Sequence, residues 1–321
     1  MHRSAHVLKI TKGGIYLDMS ARDYFADPCP EASLTQSIAK ILIDRSPAHA
    51  WLAHPKLNPN YRIDDEAYDK AQAIGNAAHK LMIGRGKELC IIEAESFRTD
   101  KVKETRDKAA ADGYVPILAK HHKGAKNLTI AARGQLDMIG LTDAFYSGDG
   151  EVVITWQEDG LWFRSMIDWL ISSPLHEVYD LKTGGTSAAP HAIPYRMVDQ
   201  GWPVQAAFQE RGLDALAPEW AGRRTFRFVA VENEPPYALS VHEMSEAVMT
   251  LGRKQVQHAV DIWRRCMESG EWPAYAPVIH RPEYPGFREQ QWLNREIAEF
   301  ESNNTRRGRP PAPMLTSLAG G

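Results

Sequence analysis

The chain has 321 residues, 43% of them hydrophobic and 25% charged, the balance of a soluble globular protein long enough for one large domain or two ordinary ones. Its formal net charge of −3 means that any affinity for nucleic acid must come from a local basic channel rather than from overall charge. Three cysteines, Cys29, Cys90 and Cys266, are too few and too far apart for a disulfide framework or a four-thiolate metal site.

No apolar run reaches membrane-spanning length, and "MHRSAHVLKI" lacks the apolar core of a signal peptide, so the expectation is a reducing cytoplasm and no membrane partner. Residues 1–32 read as a strand-like "GGIYLDM" followed by a Pro-rich loop around "DPCPEAS". "SLTQSIAKILIDRS" has hydroxyl caps and an apolar stripe and should be a short helix stopping at Ser46. Pro47 then opens a second helix, "PAHAWLAHP". A third, "DDEAYDKAQAIGNAAHKLMIG", places Ala71, Ile74, Ala78 and Leu81 at helical spacing. Residues 98–143 read as charged helix with a loop near "ADGYVP".

Strands follow. "EVVITWQ", "LWFRSMIDWLI" and "EVYDLKT" are short, β-branched or aromatic, and separated by "EDG" and "SSPLH" turns. One helix is expected at about 195–214, then strands "RTFRFVAVE" and "YALSVHEM". A long amphipathic helix from about Ser245 to Glu268 puts Val248, Leu251, Val256, Val260 and Trp263 on its apolar side. From "SGEWPAY" onward Pro and Gly recur, and "NNTRRGRPPAPMLTSLAGG" reads as disordered. The organisation expected is one α/β domain over 1–275, with a helical part at about 33–143 and a sheet core at about 150–268, then an extension over 276–321.

The chemistry concentrates in "VYDLKTGGTS". A nucleotide-binding phosphate loop needs its lysine after the glycines, but Lys182 precedes Gly184 and Gly185, and no G-x-x-x-x-G-K-[ST] occurs, so no nucleotide cofactor is expected. The dinucleotide fingerprint is absent too. Asp180 and Lys182 leave the same face of a strand. This is the one acid in the chain followed two positions later by lysine. With the preceding turn centred on Pro174, Asp168 falls opposite Asp180. Two opposed carboxylates repel unless a hard divalent cation lies between them. Lys182 would then stabilise charge on a transferring phosphoryl group. The alternative from the triplet alone is an exposed strand with an Asp–Lys ion pair.

"RSMIDWL" followed by "EVYDLKT" resembles the core of the PD-(D/E)XK nuclease superfamily. More narrowly the chain is similar to the phage and prophage RecE-type (exodeoxyribonuclease VIII-like) exonucleases. "SIAKILIDRSPAHAWLAHP", "AIGNAAHKLMIG", "WPVQAAFQERGL" and "VAVENEPPYALSVHEM" match that family's motifs in order, over about residues 15–275. The resemblance implies a restriction-endonuclease-like α/β core, a mixed central sheet flanked by helices, with N-terminal helical additions. It implies that His79, Asp168 and Asp180 hold Mg²⁺ (Mn²⁺ may substitute) and that Lys182 assists the water. Gln205 and Tyr195 would contact the DNA backbone or orient Lys182. It further implies 5′-to-3′ degradation of one strand of linear duplex DNA, a single-strand annealing partner and a homo-oligomer. The first acid follows Met-Ile where the superfamily expects Pro, and Asn76 stands where Thr is common.

Other residues read more plainly. Glu151 is either an outer-shell contributor or a solvated strand-start glutamate. Trp162 and Trp169 are core material, or platforms for a frayed base. "KHHKGAK", "GRRTFR" and "RKQVQHAVDIWRR" are solvated faces that could line a DNA path. RecB-like nucleases and their iron–sulfur relatives are a rival, disfavoured by three scattered cysteines. An end-binding protein that has lost cleavage is another, disfavoured by the intact site set.

Overall fold

A computed structural model describes residues 8–61, 70–173 and 176–307. The chain forms two compact units, residues 1–275 and 276–321. In the first, strand β1 (Gly14–Tyr16) leads to helix α1 (Ala21–Phe25) and strand β2 (Ser33–Leu34). Helices α2 (Gln36–Asp44), α3 (Pro47–Leu52) and α4 (Lys70–Ile83) follow. Thr35 caps α2 through its hydroxyl, and Pro47 stands in the first turn of α3, where its missing N–H is no loss. Strand β3 (Leu89–Ile92), helix α5 (Asp100–Ala111), strand β4 (Val115–Leu118) and helix α6 (Ala119–Met138) come next. The sheet core is β5 (Asp149–Glu158), β6 (Leu161–Ile171), β7 (Glu177–Gly184), helices α7 (Ile193–Gln200) and α8 (Trp202–Leu216), β8 (Thr225–Glu232) and β9 (Leu239–Glu243). Helix α9 (Glu246–Ser269) closes the unit, capped by the Ser245 hydroxyl and ended by Gly270 at φ 72°.

Seven strands form one mixed sheet in the order β1-β5-β6-β7-β8-β9, with β2 added beside β6. β5, β6 and β7 are an antiparallel meander, whereas β7 and β8 are parallel and joined over one face by α7 and α8. Helices cover both faces. On one, Leu34, Ile38, Leu42, Trp202, Phe208, Val256 and Trp263 pack against Ile154, Trp156, Val178 and Phe228. On the other, Ile74, Ala78, Met82, Leu128 and Leu136 pack against Tyr179, Leu181, Val229 and Val231. Alternation along β7, Val178 to one core and Tyr179 and Leu181 to the other, is what a strand buried on both faces requires. This is the α/β architecture expected of the sequence: a mixed sheet flanked by helices.

Several expectations are corrected. The single helix at about 195–214 is two, because Gly201 adopts φ 71° between α7 and α8. The end of the loop at "ADGYVP" opens β4, which pairs parallel with β3 across α5 as a separate two-stranded sheet. On α9, Leu251 is 54% exposed, and the buried stripe is Met249, Gly252, Val256, Ala259, Val260, Trp263 and Cys266. Ile74 and Ala78 are buried on α4 as the spacing predicts, while the side chain of Ala71, residues 64–69 of that predicted helix and Pro174 lie outside the described residues.

The "DPCPEAS" loop is not a solvated connection. Asp27 is 2% exposed and accepts from the Ser33 amide (2.9 Å) and hydroxyl (2.9 Å), with Arg164 Nη1 at 3.0 Å and His54 Nε2 at 3.4 Å. Burial alone would raise its pKa. The His54 contact and the Arg164 guanidinium outweigh it and hold the carboxyl down at about 2.

The second unit, taken by itself, contains helix α10 (Gly286–Arg307), which extends into a segment expected to be disordered. Its i,i+4 pairs include Arg295–Glu299 at 2.8 Å and Trp292 Nε1 donating to Glu296 at 2.9 Å. Residues 308–321 lie outside the described set. Among the described residues no helix is long and apolar enough to cross a membrane.

Candidate active site

The site lies where β6 and β7 part. Their ladder runs Ile171↔Glu177, Leu170↔Val178 and Trp169↔Tyr179, then stops. That is the register a turn centred on Pro174 implies, and one further step sets Asp168 against Asp180. Instead of continuing the ladder, Asp168 Oδ2 accepts from the Leu181 amide at 2.9 Å. A carboxylate thus satisfies the backbone donor that the separating strand abandons. β2 occupies the other part of the gap, beside Trp162 and Phe163.

From one face of the sheet, α8 sends two amides into the fork. Gln205 Oε1 accepts from Lys182 Nζ at 2.9 Å, and Gln205 Nε2 donates to Asp180 Oδ2. One turn later Gln209, 1% exposed, donates to the Met166 carbonyl at 3.3 Å. Sequence reading missed Gln209. The signal was present, since two amides four apart in the apolar first half of that helix share one face. Lys182 Nζ stands 2.6 Å from Asp180 Oδ1 and over the Phe228 ring at 5.5 Å.

His79 enters on α4. Its Nε2 is 3.5 Å from Asp168 Oδ1 and its Nδ1 is 3.8 Å from Glu151 Oε1. Glu151, at φ 50°, sits between the pairs Gly150↔Trp169 and Val152↔Ile167, so the same register sets it against Asp168 from the β5 side. Glu151, Asp168 and Asp180 therefore occupy one row across three strands. The solvated reading of Glu151 is corrected: its side chain is 13% exposed and faces His79.

Three carboxylates with one lysine and one imidazole leave an excess of negative charge in a half-buried place. Burial, then the neighbouring Asp168 charge, pushes the Asp180 pKa up. Burial acts the same way on Asp168, but the His79 and Lys182 charges and the Leu181 amide hold it low. Burial disfavours charge on His79, yet the Asp168, Glu151 and Asp180 carboxylates raise its pKa overall. Such opposed shifts come from three carboxylates crowded around one imidazole and one ammonium.

The residues fit a divalent metal. Asp180 Oδ1 is buried and, although close to Lys182, makes no hydrogen bond of acceptable geometry. The donor set of two or three carboxylate oxygens and one imidazole suits Mg²⁺ or Mn²⁺. Among the described residues no three such side chains are already drawn together into a closed ligand set, because His79 and Asp168 engage each other and Asp180 engages Lys182 and Gln205. Cation binding would replace those contacts.

The other sequence candidates are placed differently. Tyr195 is 78% exposed on α7, and it is Gln205 that contacts Lys182. Trp162 and Trp169 are 4% and 6% exposed, so neither offers a face to a base, and Trp169 Nε1 donates to the Ser147 carbonyl at 3.2 Å.

Glycine fixes how near α4 comes. A Cβ on Gly75 would lie 2.8 Å from Thr183 Oγ1 of β7. Gly75→Val should therefore lift α4 and its His79, costing about 1–3 kcal/mol of stability and roughly tenfold or more in metal affinity. Thermal melts and metal titration read both. Normal metal affinity in Gly75→Val would show that α4 does not position a ligand.

A family profile described as a PDDEXK-like domain of unknown function, DUF3799, matches residues 44–280. A crystal structure of a candidate exonuclease from Eubacterium rectale superposes with TM-score 0.54 at 12% identity, covering 84% of this chain and 97% of that one. An alkaline exonuclease from Laribacter hongkongensis aligns at 13% identity with TM-score 0.23, covering 62% of this chain and 96% of that one. No curated protein matches the chain.

Proposed function

The chain belongs to the PDDEXK-like family DUF3799, and on that premise we propose that it is a metal-dependent exodeoxyribonuclease acting on linear double-stranded DNA, 5′ to 3′. The observation that supports this most is the joint hold of Gln205 on Asp180 and Lys182 at the parting of β6 and β7, opposite Asp168 and His79. An acid–lysine pair serving only as a surface ion pair would need no amide bridging its two members.

His79, Asp168 and Asp180 would hold Mg²⁺, with Mn²⁺ able to substitute, and Glu151 stands behind His79. The ion supplies a Lewis acid for the phosphoryl oxygen and lowers the pKa of bound water. The chain's own groups then do three things. Lys182 presents a compact positive charge toward the scissile phosphate and can donate to the attacking water. Gln205 holds the ammonium in place through Oε1, beside the Asp180 carboxylate. Asp168 keeps the fork open by taking the Leu181 amide.

Lys182→Ala should leave metal binding largely intact and slow cleavage by about 10²–10³-fold. Lys182→Arg should not rescue it, since a planar fork cannot replace a point charge. Near-normal turnover in Lys182→Ala removes the lysine from the mechanism. The activity and its direction are read together by incubating duplexes labelled at the 5′ or the 3′ end. Early release of label from 5′ ends in Mg²⁺, abolished by EDTA, is the expected result.

On the same reading the enzyme works in the cytoplasm as a homo-oligomer around its duplex and hands the exposed strand to a single-strand annealing protein. Sedimentation of the full chain tests the first partner.

A further inference from the structure

Arg196 of α7 is 9% exposed, yet its Nε and Nη1 groups have no hydrogen-bond partner. Its Nη2 donates to the Lys182 carbonyl at 3.3 Å, and its guanidinium lies 5.7 Å from the Trp202 ring. Among the described residues no carboxylate pairs with it. The other buried arginine among the described residues, Arg164, is matched by Asp27, and the partly buried Arg224 and Arg227 are matched by Asp214 and Glu177. The nearby His242 offers no negative charge, and burial and the Arg196 charge push its pKa down toward the neutral form. An unpaired guanidinium at this depth is costly unless an anion completes it.

The anion has a place to sit. Gly184, two residues beyond Lys182, lacks the Cβ that would fill a recess. Around the point where that Cβ would stand lie Thr186 Oγ1 at 3.5 Å, Arg196 Nη2 at 3.6 Å and the Thr186 amide nitrogen at 3.8 Å. A guanidinium nitrogen, a hydroxyl and a backbone nitrogen around one point are the kinds of group that bind phosphate oxygens. The loop holding them is pinned: the Glu232 carboxylate accepts from the Ser187 hydroxyl (3.2 Å) and the Ala188 amide (2.9 Å), and the Gly184 carbonyl accepts from Asn233 N (3.0 Å). Because it is a rigid feature attached to the strand that carries Asp180 and Lys182, the recess has a fixed relation to the scissile bond.

We infer that Arg196, Thr186 and the recess at Gly184 form a phosphate-binding subsite that seats a phosphate of the DNA strand next to the one being cut. The inference rests on the nuclease reading for the identity of the ligand, but not for the existence of the anion site. The subsite would fix how far the strand advances at each cut.

Two variants test it. Arg196→Met removes the charge. Gly184→Ala keeps Arg196 and adds a Cβ at ordinary contact distances, at a backbone conformation that is not in the positive-φ region, so it fills the recess without unfolding the strand. Each protein is titrated in Ca²⁺ with duplexes bearing a 5′-phosphate or a 5′-hydroxyl, over a range of salt, and separately with inorganic phosphate while its melting temperature is followed. The expected result is that both variants bind DNA about tenfold more weakly, with the salt slope reduced by about one, and that both lose the phosphate-induced rise in melting temperature seen in wild type. Arg196→Lys should restore part of the affinity. Loss confined to 5′-phosphorylated ends assigns the site to the terminal phosphate, whereas equal loss on both ends assigns it to an internal phosphodiester. Wild type that binds no DNA but shows a phosphate response absent from both variants keeps the anion site and overturns the nuclease reading. Both variants matching wild type in affinity, salt slope and phosphate response would overturn the subsite.

Discussion

Asp180→Ala should abolish cleavage, with a loss on the order of 10³-fold or more, because it removes a ligand of the metal that stabilises phosphoryl charge. The buried Asp180 carboxylate has one oxygen bonded to Gln205 and the other 2.6 Å from the Lys182 ammonium without a hydrogen bond of good geometry, a contact that a bound cation could replace. Removing it also frees Gln205 and Lys182 from their common anchor, so the lysine should lose its aim as well. DNA retention in Ca²⁺ should weaken far less, since affinity is carried by basic side chains along the path of the duplex. Without metal it should tighten, because a carboxylate that repels phosphate is gone. Metal titration, filter retention of duplex and cleavage assays separate these effects. Asp180→Ala that cleaves within a few fold of wild type would dismiss Asp180 as a ligand.

The largest effect on stability is expected far from that site. Asp27→Ala should destabilise the first unit by about 3–5 kcal/mol, because it leaves Arg164 buried without its counter-charge and strands the Ser33 amide. Arg164 also donates to the Tyr24 carbonyl at 3.1 Å, so the cluster ties the N-terminal loop to β6. Its pH dependence follows from the sign of the shift. A carboxyl lowered from 3.8 to about 2 contributes stability that is complete above pH ~4 and is lost as pH falls toward 2. The contribution is about 2 kcal/mol. Chemical denaturation of wild type and Asp27→Ala at pH 7 and at pH 3 measures both quantities, and the gap between them should narrow at the lower pH. An unchanged gap would mean that Asp27 does not titrate as described.

How much of this was readable beforehand depends on whether the signal was local. The strands β5 to β8 announce themselves by β-branched and aromatic runs between turns, and the spacing of Asp168 and Asp180 about one turn gives their register directly. Lys182 follows from the two-residue repeat of a strand. Glu151 was harder, since its place opposite Asp168 depends on the β5–β6 register and on a backbone at φ 50°, neither of which leaves a mark in composition. The burial of Asp27 was hidden for a similar reason: its partners, Ser33, His54 and Arg164, come from three separate elements. Conversely, α10 was legible and overlooked. Its residues from 287 to 307 contain no proline or glycine and carry i,i+4 pairs, but flanking Pro- and Gly-rich stretches drew the reading toward disorder. Tyr195, 78% exposed on α7, leaves only the DNA-backbone half of its expected role, because the helix turns it to solvent while Gln205 takes the contact with Lys182.

The central claim is that the fork between β6 and β7 hydrolyses phosphodiester bonds from DNA ends with the help of a divalent cation. Its most direct measurement is a time course of wild-type protein on a linear duplex and on the same duplex closed into a covalent circle, in Mg²⁺, in Mn²⁺ and in EDTA. Progressive shortening of the linear form in either metal, an intact circle, and no reaction in EDTA is the predicted result. Linear DNA that is bound yet never shortened in Mg²⁺ or Mn²⁺ would contradict it and leave an end-binding protein on a nuclease fold.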